Sequence, residues 1–366
     1  MSGLAYWLAL SAVRGVGSRR FQSLLDAFGS PEAAWHASEV SLAAARGVGS
    51  AAAAAVVDAR RTLEPARLLA RVQQSSSEAL TWLDPRYPEV LRMIYDPPPV
   101  LYVQGKVSAL SRAVAVVGSR KASAYGLEVA AGLAYGLAAA GVTVVSGLAR
   151  GIDGAAHEGA LAAGGVTWAV LGCGLDRVYP PEHRPLGGAI RREGLLLAEV
   201  PPGTPPQGEN FPARNRIISG LSQAVVIVEA GARSGALITA EAALEQGREV
   251  MAVPGPVTDS RSAGANRLLK DGALLVEGAA DVLQALGWAA GSASAASACA
   301  GGPGGDGSVL LDLLGPAPVA ADSLALRLGW GPARLQAALA LLELGGWCSQ
   351  LDDGRVIGTR RRKILE

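Results

Sequence analysis

Short runs of consecutive apolar residues recur through the middle of the chain, each ending in small and polar residues. They fall at 113–117 (AVAVV), 142–145, 167–171, 195–199, 224–229 and 249–253, with a shorter one at 273–276. Continuous Val- and Leu-rich runs of this length belong to strands buried on both faces, as in a parallel sheet. Stretches with helical spacing separate most of them, 125–140 being the clearest. Such alternation predicts an α/β fold, an extended Rossmann-like doubly wound sheet with helices on both faces. Residues 81–107 hold Tyr87-Pro88, the triplet Pro97-Pro98-Pro99 and the apolar VLYVQG, which predict an extended lead-in with a strand near 100–103. The 21 uncharged residues 129–149 are long enough to span a bilayer, but four glycines and a change of period at Gly141 predict a buried helix and strand instead.

The two ends of the chain read differently. The first eighty residues are helical and hold a weak repeat, RGVGSRRFQSLLDAF at 14–28 echoed by RGVGSAAAAAVVDAR at 46–60. Each Gly-Val-Gly before a helical run resembles the hairpin of a helix-hairpin-helix unit, whose following helix offers N–H groups to a phosphate. Arg19 and Arg20 favour binding by the first copy; alanines fill those places in the second. Residues 287–307 are Gly-, Ala- and Ser-rich and predict a flexible linker. Beyond it, helical patterns at 308–314, 319–328 and 332–344 and two strands about Asp353-Gly354 describe a winged helix. Its third helix is mostly apolar, which disfavours sequence-specific groove reading. The expected division is therefore a helical domain over 1–80, the sheet domain over 81–286, the linker, and a winged helix over 308–366.

Composition narrows the function. A net charge of +1 excludes a generally polybasic protein, so any nucleic-acid affinity must be local. Cys173, Cys299 and Cys348 are scattered, with no CxxC or Cys/His cluster, which points away from a metal site and towards a reducing cytoplasm. The apolar start lacks a basic lead, so no signal peptide is expected. No cofactor and no membrane partner are expected.

Ligands of doubly wound sheets bind beyond the carboxyl ends of the strands, and there the Gly-rich and basic sequences gather. The first strand ends in Gly118-Ser119-Arg120, a small-residue turn before a helix and a natural anion site, with a guanidinium whose fork matches phosphate oxygens. The second is followed by SGLARGIDGAAH, with Arg150. After the fourth comes NFPARNRIISGLS, with Arg214 and Arg216, and after the fifth EAGARSGALITA, where Arg233, Ser234 and Gly235 form the turn. Lys270 closes the segment after the sixth. Pooled Arg over Gly-rich turns predicts a phosphate-binding surface, with Arg214 and Arg216, two apart, facing one groove.

The strings VGSRKASAYG, VVSGLARGIDGAAHEGAL, VLGCGLDRVYPPEH, FPARNRIISGLS, VVIVEAGARSGALITAEAALEQGREVMAVPG and GANRLLKDGA, in this order, resemble the Smf/DprA family of bacterial transformation. The match is collinear over about 87–285 and extends to the order helical domain, sheet, winged helix. One departure is Ala265, where many relatives carry a Cys. The resemblance implies a homodimer that binds single-stranded DNA without marked sequence preference and delivers it to the recombinase RecA. It also implies a pocket of Gly118, Ser119, Arg120, Ser146, Gly147, Gly151, Arg214, Asn215 and Arg216. Apart from the resemblance, the apolar third helix of the winged helix favours protein contact or self-packing, and the charges of Arg355 and of residues 360–363 leave room only for weak auxiliary contacts, to duplex DNA.

A nucleotide-processing enzyme of the phosphoribohydrolase type is the rival reading. Its PGGxGT loop would fall at AGARSGA, which lacks the double Gly and the Thr, and no GxGxxG dinucleotide fingerprint follows the first strand. Asp153 and His157, four apart, are a candidate acid/base pair; the alternative is a helix cap and a buried polar residue. The sequence favours a binding protein over an enzyme.

Overall fold

Nine strands form one sheet in this computed structural model, which describes residues 2–288, 309–310, 313–314, 319–344, 348–350 and 355–358. They are β1 (Glu78–Thr81), β2 (Val100–Gly105), β3 (Ala113–Val117), β4 (Thr143–Ser146), β5 (Thr167–Leu171), β6 (Leu195–Ala198), β7 (Ala224–Ile227), β8 (Glu249–Ala252) and β9 (Leu274–Leu275). Their order is β1-β2-β6-β5-β4-β3-β7-β8-β9. From β6 to β9 all pairs are parallel, and the sheet reverses its winding between β3 and β7, giving the doubly wound topology. The lead-in goes further than expected: β2 runs antiparallel to β6, and β1 antiparallel to β2. Strands β3 and β5 are buried at every residue, as their unbroken apolar runs require.

Helices α1 (Ser2–Ser11), α2 (Ser18–Phe28), α3 (Pro31–His36), α4 (Glu39–Ala44), α5 (Gly49–Ala59) and α6 (Pro65–Gln74) precede the sheet. Trp7, Leu8, Leu10, Phe21 and Leu24 share a core with Val100, Tyr102, Leu171, Leu196 and Ala198, so these helices cover one face of β2, β6 and β5. The two Gly-Val-Gly turns lie side by side. Arg20 ties them together, donating to the carbonyls of Gly15 at 2.7 Å and Gly47 at 3.3 Å. That corrects the expectation for Arg20, whose donors serve the hairpins rather than a phosphate.

On the same face, α10 (Arg184–Glu193) joins that core through Ile190, and α8 (Ala124–Ala139), α9 (Ile152–Ala162) and α14 (Ala279–Ala285) cover β4, β3, β7 and β8. The opposite face is closed by α7 (Glu89–Arg92), α11 (Asn210–Gly220), α12 (Gly235–Glu245) and α13 (Ala263–Lys270). The uncharged stretch 129–149 divides into α8, a turn and β4, and no helix among the described residues is long and apolar enough to cross a membrane.

The chain divides into two compact units, Met1–Ala289 and Ala290–Glu366. The expected linker lies almost wholly outside the described residues. In the second unit, helices Ala321–Leu328 and Pro332–Leu344 pack against a three-stranded antiparallel sheet of Val319–Ala320, Arg355–Gly358 and Cys348–Gln350. Leu324, Leu335, Leu339, Leu342 and Val356 form its core. This is a winged helix; the residues expected at the tip of its wing turn lie outside those described.

Candidate nucleic-acid interface

The crevice between β3 and β7, where the winding reverses, is the usual place for a ligand in such a sheet. Here Glu229, at the end of β7, fills it. Its backbone carbonyl accepts the N–H of Ser119 at 2.6 Å. Its buried carboxylate accepts the N–H of Ser123 at 2.9 Å and the Ser123 hydroxyl. Ser123 in turn caps α8 by accepting from the N–H of Gly126 at 3.0 Å. The start of α8, expected to hold a phosphate, is thus closed by a side-chain cap and a carboxylate of the chain's own. This corrects the anion-site reading of the helix behind Gly118-Ser119-Arg120.

The turn itself is held by the neighbouring loop. Ile152 donates its N–H to the carbonyl of Ser119 at 3.2 Å. Gly151 stands at φ 75°, and a Cβ there would lie 2.2 Å from the Ser119 oxygen, so only glycine fits. Ser119 spends its hydroxyl on the N–H of Lys121 at 3.1 Å. Arg120 projects outward and is exposed, with its guanidinium 5.2 Å from the centre of the Phe211 ring.

The second turn is built from buried charge. Asp153 accepts the N–H groups of Gly147 at 3.1 Å and Ala149 at 3.4 Å. Arg214 is 5% exposed and donates to the carbonyls of Gly147 at 2.6 Å and Val170. A Cβ on Gly147 would meet that guanidinium at 2.4 Å. Burial raises the Asp153 carboxyl and lowers the Arg214 guanidinium, while the attraction between the two opposes both shifts. Ser146 is fully buried, its hydroxyl donating to the carbonyl of Val116 at 2.7 Å. Ser146, Gly147 and Arg214 therefore lie beneath the surface as its floor, not as an open groove.

Arg214 and Arg216 do not face one groove, because 210–220 is the helix α11 and side chains two apart on a helix diverge. Arg216 turns the other way, pairing with Asp96 at 2.9 Å and Glu199 at 2.6 Å, where it lines a cleft with Arg19 of the helical segment. Asn215 accepts from Arg214 at 3.1 Å and donates to the carbonyl of Gly235 at 3.3 Å, tying α11 to the start of α12. Arg150 is exposed but paired with Glu182. Arg233 is exposed in the turn before α12, with Ser234 capping that helix by accepting from Ala236 at 3.3 Å and Gly235 exposed at its first position. Lys270 leaves the face: α13 starts at the carboxyl edge, and seven residues at ~1.5 Å each carry Lys270 about 10 Å away.

Phe211, which the basic pattern did not single out, completes the face. Its ring lies over Gly172 at the end of β5, where any side chain would meet it at 3.0 Å. Arg120 and Arg214 approach the ring at 5.2 and 5.9 Å, and Tyr179 lies 5.8 Å away, centre to centre. A partly exposed aromatic ring, with beside it a guanidinium that has no ion pair among the described residues, suits base stacking and phosphate contact together. The candidate acid/base pair is sealed instead. His157 is fully buried with Nδ1 against the Thr167 hydroxyl at 2.7 Å, and Asp153 is committed to backbone N–H groups.

Comparison with known proteins agrees with this architecture. The family model "DNA recombination-mediator protein A" matches residues 78–287, and the DprA winged helix domain matches residues 293–354. Protein Smf of Synechocystis is 41% identical over 288 residues, covering 77% of this chain and 72% of that protein. DNA processing protein DprA of Bacillus subtilis is 41% identical over 222 residues, 60% of this chain and 75% of its own. Among solved structures, DNA processing protein A from Streptococcus pneumoniae superposes with a TM-score of 0.68 at 36% identity, covering 78% of this chain and 97% of that one. The Helicobacter pylori protein of the same name, solved for its single-stranded DNA binding mode, gives 0.52 at 30% identity over 57% of this chain and 95% of its own.

Proposed function

This chain belongs to the DNA recombination-mediator protein A family, the Smf/DprA proteins, and on that premise we propose that it binds single-stranded DNA along the carboxyl edge of its sheet. The observation that carries the reading is the Arg120–Phe211 pair, an exposed cation beside a ring at the strand ends. Stacking accepts any base and a guanidinium accepts any phosphate, so binding is without marked sequence preference. The single-stranded DNA bound by the Helicobacter pylori relative supports the same ligand here.

The family resemblance extends the proposal to delivery of the strand to RecA during uptake of foreign DNA, in the cytoplasm and as a homodimer. Supporting a dimer, Leu274 and Leu275 are exposed on β9, which among the described residues is an edge strand of the sheet. The protein acts as a binder rather than an enzyme, a reading supported by the sealed Asp153 and His157. The winged helix adds contacts to duplex DNA at most.

A gel-shift comparison of single strands of several sequences with duplex, at two salt concentrations, tests this. Single strands bind more tightly, indifferent to sequence, and log affinity falls by about 0.7 per phosphate contact for each decade of salt. Equal or tighter binding of duplex would overturn it.

A further inference from the structure

Phe211 is one aromatic group at the carboxyl edge; a second stands at the other side. Tyr125, in the first turn of α8, is 48% exposed although it is a large ring. Its hydroxyl donates to the carbonyl of Pro254, just beyond β8, at 3.2 Å, which holds the ring over that strand's exit. Resting on the single-strand reading above, we propose that Tyr125 is a second base-stacking platform and that the bound strand spans the distance from Phe211 to Tyr125.

The sheet gives the span. Phe211 touches Gly172 at the end of β5, and Tyr125 touches Pro254 at the end of β8. The order β5-β4-β3-β7-β8 puts four inter-strand steps between them, about 19 Å at ~4.8 Å per step. At ~3.4 Å per nucleotide, a stacked strand covers that distance with about six nucleotides, and an extended strand with fewer.

Charge along the way matches a backbone path. Arg120 and Lys121 stand at the β3 exit and Arg233 follows β7; all three are exposed, and none has an ion pair among the described residues. The neighbouring cations at this edge are neutralised, Arg150 by Glu182 and Arg261 by Asp259. Unpaired cations thus lie between the two rings, where phosphates of a strand stacked at both ends must pass. The hydroxyl anchor fixes the Tyr125 ring before DNA arrives, so less side-chain freedom is lost on binding.

Length dependence tests the proposal, because a merely structural role for Tyr125 would not produce it. Affinities for dT3 and dT8 are measured by competition for the full chain and for Tyr125→Ala, Tyr125→Phe, Phe211→Ala and Arg120→Ala, with thermal melts checking the fold. Tyr125→Ala weakens dT8 by about five- to a hundredfold, the range for one lost stacked base, and leaves dT3, held at Phe211 and Arg120, within twofold. Tyr125→Phe, which keeps the ring, retains most of the dT8 affinity. Wild-type binding of dT8 by Tyr125→Ala, with Phe211→Ala and Arg120→Ala weakened, overturns the second platform and leaves the interface standing. Wild-type binding by all four variants removes the interface, and the platform with it.

Discussion

Asp153 and Arg214 hold Gly147 from its two sides: the carboxylate takes its N–H at 3.1 Å and the guanidinium gives to its carbonyl at 2.6 Å. Opposite charges on separate helices, α9 and α11, thereby fix one glycine of the loop after β4. The loop's rigidity is electrostatic in origin, and it supports Gly151 and, through Ser119, the turn that carries Arg120.

Arg214→Ala strips two carbonyls of their donor and leaves Asp153 buried without its cation. Each charged hydrogen bond lost from this buried site costs about 1.5–3 kcal/mol, so chemical denaturation shows a large loss of stability. In conditions where the variant is folded, the salt slope of DNA binding stays at the wild-type value. A slope smaller by one phosphate contact would put Arg214 on the DNA.

Arg120→Ala does the reverse. The side chain is exposed and has no ion pair among the described residues, so thermal stability changes little. Single-strand affinity falls by about 1–3 kcal/mol, the range for a charge-assisted hydrogen bond. Arg120→Lys keeps the charge but loses the guanidinium fork beside the Phe211 ring, and lands between the two. Titration of a labelled single strand reads both.

Gly151→Ala asks an alanine to adopt φ 75° with its Cβ 2.2 Å from the Ser119 carbonyl oxygen. The backbone term alone is about 1–2 kcal/mol, and the clash adds to it by pushing the 118–120 turn aside. Melting temperature and DNA affinity fall together, unlike Arg120→Ala, where affinity falls alone.

Acid weakens the fold through His157. Burial, with His183 and Arg214 nearby, holds its imidazole down to about 3, while an unfolded chain's histidine titrates near ~6.5. Between those values the unfolded state binds a proton that the folded state refuses. Stability is therefore complete above ~6.5 and declines as pH falls towards 3, by up to ~1.4 kcal/mol per pH unit. The buried carboxyl of Asp153 and the half-buried one of Glu199 are raised and act in the opposite sense. Comparing denaturation of wild type and His157→Gln from pH 7 to 5 isolates the histidine, whose removal flattens the decline.

A chain ending at Ala289 keeps Trp288, which packs against the α8 side of the sheet. It contains every side chain placed at the carboxyl edge and forms one of the two compact units. Its single-strand affinity stays within about tenfold, ~1.4 kcal/mol, of the full chain. Any duplex binding falls further. Complete loss of single-strand binding by the folded fragment would move the site off the sheet.

The central strands were legible because a segment buried on both faces must be apolar throughout, and 113–117 and 167–171 are. β1 was not legible, since the four residues Glu78–Thr81 at a sheet edge carry too little pattern, and the prolines before Val100 hid the antiparallel turn into β2. Arg120, Arg150 and Arg233 fall in turns at the edge of the sheet, as their places after the apolar runs suggested, whereas Arg216 and Lys270 do not, and individual tasks were not legible. Arg120 and Arg214 look alike in the sequence, yet one ends exposed and the other 5% exposed, because one lies in a turn and the other on a helix reaching over the strand ends. Phe211 left a faint signal, one of three phenylalanines in the chain, standing just before the Pro-Ala-Arg of a basic segment. Glu229 left another, a carboxylate closing an apolar strand.

On the single-strand reading proposed above, that carboxylate would favour a large ligand over a small one. A free mononucleotide or dinucleotide, seated in the usual crevice of a doubly wound sheet, would set its phosphate against Glu229. At 4 Å and an effective dielectric of about 20, two like charges repel by ~4 kcal/mol, enough to reduce occupancy roughly a thousandfold. On that reading, free nucleotides would be disfavoured in the crevice that doubly wound sheets commonly offer them. A strand lying along the outer rim would meet no such repulsion, because none of its phosphates need enter the crevice. One acidic side chain would thereby turn the preference of this edge from a free nucleotide towards a strand.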